Sequence, residues 1–402
     1  MKILIAVNAF KGTLTSIQAS KIIGNVFKSK GHKVQSIPIA DGGDGTIDSI
    51  QYSIGGDKRF VSVFNPLGKK IKAYYILKGN TAYLEYAKSS GLALLKKSKL
   101  NPLKASSYGF GELINSALRN NIKKIVIGLG GSATNDVGVG MLSALGVKFY
   151  DKEGNKIKNI NKSGAEVLEK IYDFDLSLMN QELKNIEIEI LCDVKNPLYG
   201  KNGTSKIYSP QKGADAECVK SLENGVKHFA GIIEKKLKAK TDFEGAGAAG
   251  GMGAALNIFL NAKIISGIKG VMDLIKIENK IINSDLVITG EGSMDYQSAF
   301  GKAPAGVAEL AKRYNKKVIA ICGKTGKNAE ELFKHGIDLI FSYSGDVHLP
   351  PLFLKRNAFR NLKMTAVYAE NIINNYNELK HKIFIFNETK NFRNSPNTCQ
   401  RN

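Results

Sequence analysis

KIVIGLGGSATNDVGVG, residues 124–140, decides how this 402-residue chain reads. An apolar run through Ile125, Val126 and Ile127 empties into the paired glycines Gly130 and Gly131, then into Ser132, Thr134, Asn135 and Asp136. Glycine suits backbone that must approach a charged ligand, because it has no Cβ and tolerates positive φ. A buried strand ending in such a loop, with a helical pattern behind it, is how open α/β sheets present phosphate sites.

The pattern repeats outward in both directions. Residues 2–7 read as a buried strand, Ala19, Ile22, Ile23, Val26 and Phe27 recur at helical spacing, and residues 34–39 read as a second strand. Shorter strands are predicted over 59–64, 71–77 and 82–86, separated by Asn65-Pro66 and Gly79-Asn80. A helix over 111–119 precedes the opening strand. Beyond it come a strand over 186–192, a long amphipathic helix over 219–237, and strands over 286–289, 318–322 and 339–342. This alternation predicts an α/β fold with mainly parallel sheets covered by helices. After Asn387 the apolar periodicity stops, which predicts a disordered or peripheral tail over 387–402.

Composition narrows the class. A chain of this length predicts two domains. It contains no run of eighteen apolar residues, so no membrane span is expected. The N-terminal MKILIAVNAF enters a strand pattern without a signal-peptide cleavage region, which predicts a cytoplasmic protein. Four scattered cysteines and five histidines show neither disulfide nor zinc-ligand spacing. A metal here would be a hard cation held by carboxylates and phosphate oxygens. The net charge of +22 raises a nucleic-acid alternative, but the lysines are dispersed and no nucleic-acid-binding motif accompanies them.

Five polar loops follow predicted strands: Asn8-Ala9-Phe10-Lys11-Gly12-Thr13, Asp41-Gly42-Gly43-Asp44-Gly45-Thr46, the opening loop, Cys192-Asp193-Val194-Lys195-Asn196-Pro197, and Gly290-Glu291-Gly292-Ser293-Met294-Asp295. Each alone is ordinary turn chemistry. Together they match what phosphoryl transfer requires: donors and cations around the transferred group, carboxylates for Mg²⁺, and a base or orienting group for the acceptor hydroxyl. Lys11 is the cation candidate; Asp41, Asp44, Asp136, Asp193, Glu291 and Asp295 are the carboxylates. Asp44 and Asp136 also stand where a helix cap is expected.

Three strings compete. Gly323-Lys324-Thr325 resembles the end of a Walker A loop, but Val318 occupies the required first glycine. Gly245-x-Gly247-x-x-Gly250 follows no strand, so its glycine run reads as a tight helix entry or an anion loop. Gly128-x-Gly130-x-x-Ala133, with Asp151 further on, supports an NAD(P)-binding dehydrogenase as an alternative. The polar residues Thr134, Asn135 and Asp136 weigh against it, because a dinucleotide helix should start at once.

AFKGTLTS (9–16), ADGGDGT (40–46), GGSATNDVGVGML (130–142), CDVKNPLYG (192–200), PQKGA (210–214), GAGAAGGMGAAL (245–256) and ITGEGSMDYQSAFGKAPAGVA (288–308) together resemble the bacterial type I glycerate kinase family over about residues 1–370. The resemblance implies phosphorylation of D-glycerate by ATP with Mg²⁺, at the 2-hydroxyl rather than the 3-hydroxyl. It implies two α/β domains, 1–80 with 285–386 and 81–284, and an active site in the cleft between them. It implies Lys11, Asp193 and Asp295 as catalytic residues. Asp41, Gly42, Gly43, Gly130, Gly131, Ser132, Asn135, Asp136 and Glu291 are implied as substrate- or phosphate-binding, and Asp193 and Glu291 as metal ligands. Two departures stand out: Ser293 replaces the family's usual basic residue, and Asp44 the commoner glutamate.

Overall fold

A computed structural model describes residues 1–299, 302–344, 351–375 and 382–385. The tail expected over 387–402 lies outside them. The chain forms two compact units: Met1–Ala40 with Ile275–Asn402, and Asp41–Leu274.

The chain starts in the first unit. β1 (Lys2–Val7) is buried along five consecutive residues, as befits a strand covered on both faces. The helix Ser16–Ser29 follows, and its start is a capping box. Thr15 Oγ1 accepts from Gln18 N at 3.1 Å, and Gln18 Oε1 accepts from Thr15 N at 2.9 Å. Ala19, Ile22, Ile23, Val26 and Phe27 are all buried, as their spacing predicts. β2 (Lys33–Ser36) lies parallel to β1.

The second unit contains β3 (Asp57–Phe64), β4 (Lys70–Lys78), β5 (Thr81–Glu85), β6 (Lys124–Gly128), β7 (Lys148–Tyr150), β8 (Asp173–Asp175), β9 (Glu187–Leu191) and β10 (Lys263–Ile265). Six of them form one sheet in the order β10-β9-β6-β5-β4-β3; β7 and β8 pair separately. β5, β6, β9 and β10 run parallel, whereas β3–β4 and β4–β5 are antiparallel. A domain boundary is expected at residue 80; the compact units part at Ala40. β5 continues the hairpin sheet directly into β6, so β3, β4 and β5 cannot be separated from the opening strand. The other boundary falls at Leu274 rather than 284.

Back in the first unit come β11 (Leu286–Gly290), β12 (Ser293–Met294), β13 (Lys317–Thr325), β14 (Leu339–Ser344) and β15 (Lys382–Ile385). The sheet order is β15-β14-β13-β11-β1-β2, all parallel, with β12 beside β13. Leu362, Ala366 and Ala369 of the helix Pro351–Asn375 share a core with the Ser16–Ser29 helix and with Ile3, Ile5 and Val7. Among the described residues no helix is long and apolar enough to cross a membrane.

Candidate active site

In the first unit, β1 is followed by β2 on one side, and β11 by β13 on the other. Connections that leave two neighbouring strands in opposite directions open a crevice at their carboxyl ends, where ligands of open α/β sheets bind. Two of the five loops stand there. Asn8 N donates to Gly290 O at 2.8 Å and locks them in register. The Asn8 amide oxygen accepts from Ala9 N at 2.7 Å, and Thr13 Oγ1 donates to Phe10 O at 2.7 Å, which shapes the turn that exposes Lys11. A Cβ on Gly292 would stand 3.1 Å from Phe10 Cα and 3.2 Å from Lys11 N, so glycine lets the second loop pack on the first. The buried Glu291 carboxylate accepts from Ser298 Oγ at 2.6 Å. Asp295 lies on the same loop, and its carbonyl accepts from Ser298 N at 2.9 Å. Lys11 and Glu291 thus sit on touching loops, with Asp295 four residues further on. Ser293 pairs with Lys324 in the β12–β13 register.

The second unit gathers the other loops. Gly130 N donates to Gly42 O at 2.9 Å. Gly42 has φ +86, and a Cβ there would collide with Leu191 O; one on Gly130 would collide with Gly43 Cα. Glycine against glycine is what lets these loops interleave. Asp193, just past β9, caps the helix Gly267–Leu274. Its Oδ1 accepts from Ser266 Oγ at 2.8 Å and Gly267 N at 2.9 Å, and its Oδ2 from Ile268 N at 3.2 Å. Burial raises the Asp193 pKa, Asp41 adds to the rise, and the three donors oppose it. Asp41, Gly42, Gly43, Gly130, Gly131 and Asp193 are therefore brought together. Sequence reasoning missed Ser266 and Gly267; the signal was a Ser-Gly pair between a three-residue strand and a helical pattern.

The polar half of the opening loop turns inward. Asp136 is 1% exposed; its Oδ2 accepts from Ser107 N at 2.8 Å, Ser107 Oγ at 2.7 Å and Gly140 N at 3.2 Å. Burial raises its pKa, although these donors oppose the rise. Asn135 is fully buried, and its side-chain amide donates to Ser205 Oγ at 3.1 Å. The Thr134 hydroxyl meets Tyr86 Oη at 2.7 Å. Asn135 and Asp136, expected among the binding residues, are buried and make these bonds within the protein, while Asn135 Oδ1 and Asp136 Oδ1 have no hydrogen-bond partner among the described residues. Ser132, 8% exposed, is the least buried of the three.

Two charged groups escaped the sequence reading. Glu85, at the end of β5, accepts from Gly45 N at 3.1 Å and Ile47 N at 3.2 Å, and so caps the helix Thr46–Ile54. The expected cap, Asp44, is exposed. Lys212, within PQKGA, is buried and donates from Nζ to Thr134 O at 2.6 Å. Burial pushes its pKa down to about 7, while Asp136 opposes the shift. The glycine run at 245–256 is a tight helix entry: Ala249, Gly250 and Gly251 carry positive φ, and Gly250 O accepts from Val137 N at 3.0 Å.

The competing strings lose their structural basis. β13 continues through Thr325, so Gly323-Lys324-Thr325 forms no phosphate loop. After Gly128 no helix begins until Val139. Asp151 accepts from Asn155 N at 2.7 Å and Glu153 N at 3.1 Å in its own turn. The dehydrogenase and nucleic-acid alternatives gain no support. Among the described residues no three His, Cys, Asp or Glu side chains converge as a metal cage.

These features define an α/β protein whose candidate ligand loops ring the carboxyl ends of parallel strands. The glycerate kinase family model matches residues 3–374, and the chain belongs to that family. It is 43% identical over 347 residues to the glycerate 2-kinase of Escherichia coli K12, covering 85% of this chain and 90% of that protein. It is 41% identical over 345 residues to a glycerate kinase of Halalkalibacterium halodurans, with the same coverage. A crystal structure assigned as a glycerate kinase 2 from Salmonella typhimurium LT2 superposes with a TM-score of 0.79 at 39% identity, covering 93% of this chain and 98% of that one.

Proposed function

We propose that this protein transfers the γ-phosphoryl group of ATP to the 2-hydroxyl of D-glycerate in the cytoplasm, releasing ADP and 2-phosphoglycerate. The observation that carries this reading is the family match over residues 3–374, with a glycerate 2-kinase as a 43% identical relative. The free thiols of Cys192, Cys218 and Cys322 fit a reducing compartment.

The residues divide the work by chemistry. Lys11 supplies a positive charge to the phosphates. The N–H groups of the interleaved Gly42, Gly43, Gly130 and Gly131 loops, with Ser132, offer donors to an anionic ligand. Asp193 accepts the proton of the attacking hydroxyl. That oxygen forms the new P–O bond while the bond to the β-phosphate oxygen breaks. Its elevated pKa suits a carboxylate that must take up a proton. Asp295 orients the acceptor, and Asp41 stands beside Asp193 as a further anchoring carboxylate. Mg²⁺ takes one or two protein carboxylates and completes its shell with water and phosphate oxygens. Glu291, backed by Ser298 in the first unit, and Asp193, backed by Gly267 in the second, are each hard-oxygen donors of that kind, and each would serve as a ligand to it. When bound, such an ion would supply neutralisation of phosphate charge.

A coupled ADP-release assay with D-glycerate tests the reading, with ³¹P NMR locating the product's phosphate. Turnover no greater than that of Asp193→Asn overturns it, and 3-phosphoglycerate as product overturns the regiochemistry.

A further inference from the structure

Lys212 has no part in the chemistry above, yet it is among the most deeply buried charged side chains of the second unit, at 1% exposure. Burying an amine is costly unless it is paired, and a structural role could be filled by an apolar side chain of similar length. What surrounds it explains its retention. Nζ donates to the carbonyl of Thr134 at 2.6 Å, in the middle of the loop that carries Gly130, Gly131 and Ser132. Asp136 interacts with it electrostatically and has one oxygen, Oδ1, without a hydrogen-bond partner. Asp136 in turn holds Ser107 and Gly140 N. Gly250 fits against the Thr134 carbonyl from another side, where any Cβ would collide with it. The carbonyl is thus gripped by a side chain from residue 212 and walled by a glycine from residue 250.

We propose that Lys212 is a positioning residue for the 130–136 loop: by fixing the Thr134 carbonyl, it sets where Ser132 and the loop N–H groups stand for the anionic ligand. The proposal rests on the reading that this loop contacts a substrate of the kinase reaction. The amino group donates to Thr134 whether or not it carries the extra proton, so the grip survives titration of Lys212. Its burial also keeps it from touching ligand, and so it acts through the loop.

Lys212→Met removes the grip while nearly preserving volume, and it leaves Asp136 without its cation. Lys212→Met/Asp136→Asn removes both charges together. Kinetic constants for D-glycerate and ATP are measured for these two variants, for Asp136→Asn alone and for the parent, alongside thermal melts. The expected result is a tenfold or greater fall in kcat/KM for Lys212→Met. The double variant should regain a melting temperature close to that of Asp136→Asn but remain at least tenfold below it in kcat/KM. Recovery of both melting temperature and kcat/KM in the double variant overturns the proposal, because charge balance alone would then explain Lys212. Kinetic constants within twofold of the parent in Lys212→Met overturn it too, as does a double variant that fails to fold, since Lys212 would then serve only the fold. Absence of turnover in the parent enzyme instead overturns the kinase reading.

Discussion

Gly267 N donates to Asp193 Oδ1 at 2.9 Å across 74 positions of sequence, and a Cβ on the same glycine would collide with the carbonyl of Asp41. One glycine therefore ties the carboxylate assigned as proton acceptor to a helix start and to a second acidic loop. The positive end of that helix favours the ionised form of Asp193, while burial and Asp41 oppose it. Opposition wins, and the pKa rises.

Asp193→Asn should separate chemistry from stability. The amide still accepts from Gly267 N, so the loss in unfolding free energy is about 1 kcal/mol, as for a weakened helix cap. Turnover should fall about 10²–10⁴-fold if the carboxylate takes the hydroxyl proton. The ionised carboxylate is the working form and its pKa is raised. In the parent enzyme kcat/KM, which reports the free enzyme, should therefore decline, as pH falls, at a value above the ordinary aspartate range of about 3.9. A pH–rate profile that stays level down to that range contradicts the assignment.

Gly130→Ala should pry apart the loops that begin at Asp41 and Gly128, since its Cβ collides with Gly43 Cα. The expected destabilisation is about 1–3 kcal/mol by urea unfolding, as for other overpacked sites. A fall in kcat/KM should accompany it. Gly231→Ala is the contrast: that glycine lies in the helix Ala216–Leu237 with nothing within 4 Å of a new Cβ. It should stabilise by about 0.5–1 kcal/mol.

Glu85→Ala should be among the most damaging changes remote from the chemistry. It strips the acceptor from Gly45 N and Ile47 N and leaves Lys88, 3.4 Å from that carboxylate, with Asp48 at 3.1 Å. Leaving buried backbone donors unsatisfied in this way costs about 1–3 kcal/mol. Glu85→Gln keeps one acceptor oxygen and should lose less. Equal losses in chemical denaturation would show that the capping bonds carry none of the effect.

Chelation with EDTA should abolish turnover, and added Mg²⁺ should restore it. Ser298→Ala removes the 2.6 Å bond that orients Glu291 and should raise the Mg²⁺ concentration for half-maximal rate by about 10–100-fold, as loss of a supporting contact does elsewhere. An unchanged Mg²⁺ dependence would remove Glu291 from the metal site.

Much of this was written in short-range pattern. Apolar runs and 3.6-residue spacing located most main strands and the Ser16–Ser29 helix, because burial imposes its period on neighbouring residues. Glycines next to acidic residues marked the loops that interleave at Asp41, Gly130 and Asp193. Short-range pattern did not show how the three strands before the opening one pair. β3, β4 and β5 are antiparallel hairpin strands, and pairing to β6 assigns them to the second unit.

Sequence by itself determined the α/β class, the loops that carry the candidate chemistry and the family, since each depends on residues close along the chain or on motifs in a set order. Tertiary structure alone decided which distant polar groups the protein pairs with one another. Asp136 meets Ser107, Asn135 meets Ser205, Glu85 meets Gly45 and Lys212 meets Thr134 over separations of 29 to 78 residues. Those pairings arise only when the sheet closes and buried donors and acceptors must find one another. A carboxylate that caps buried backbone and one that awaits a substrate are the same letter in a sequence.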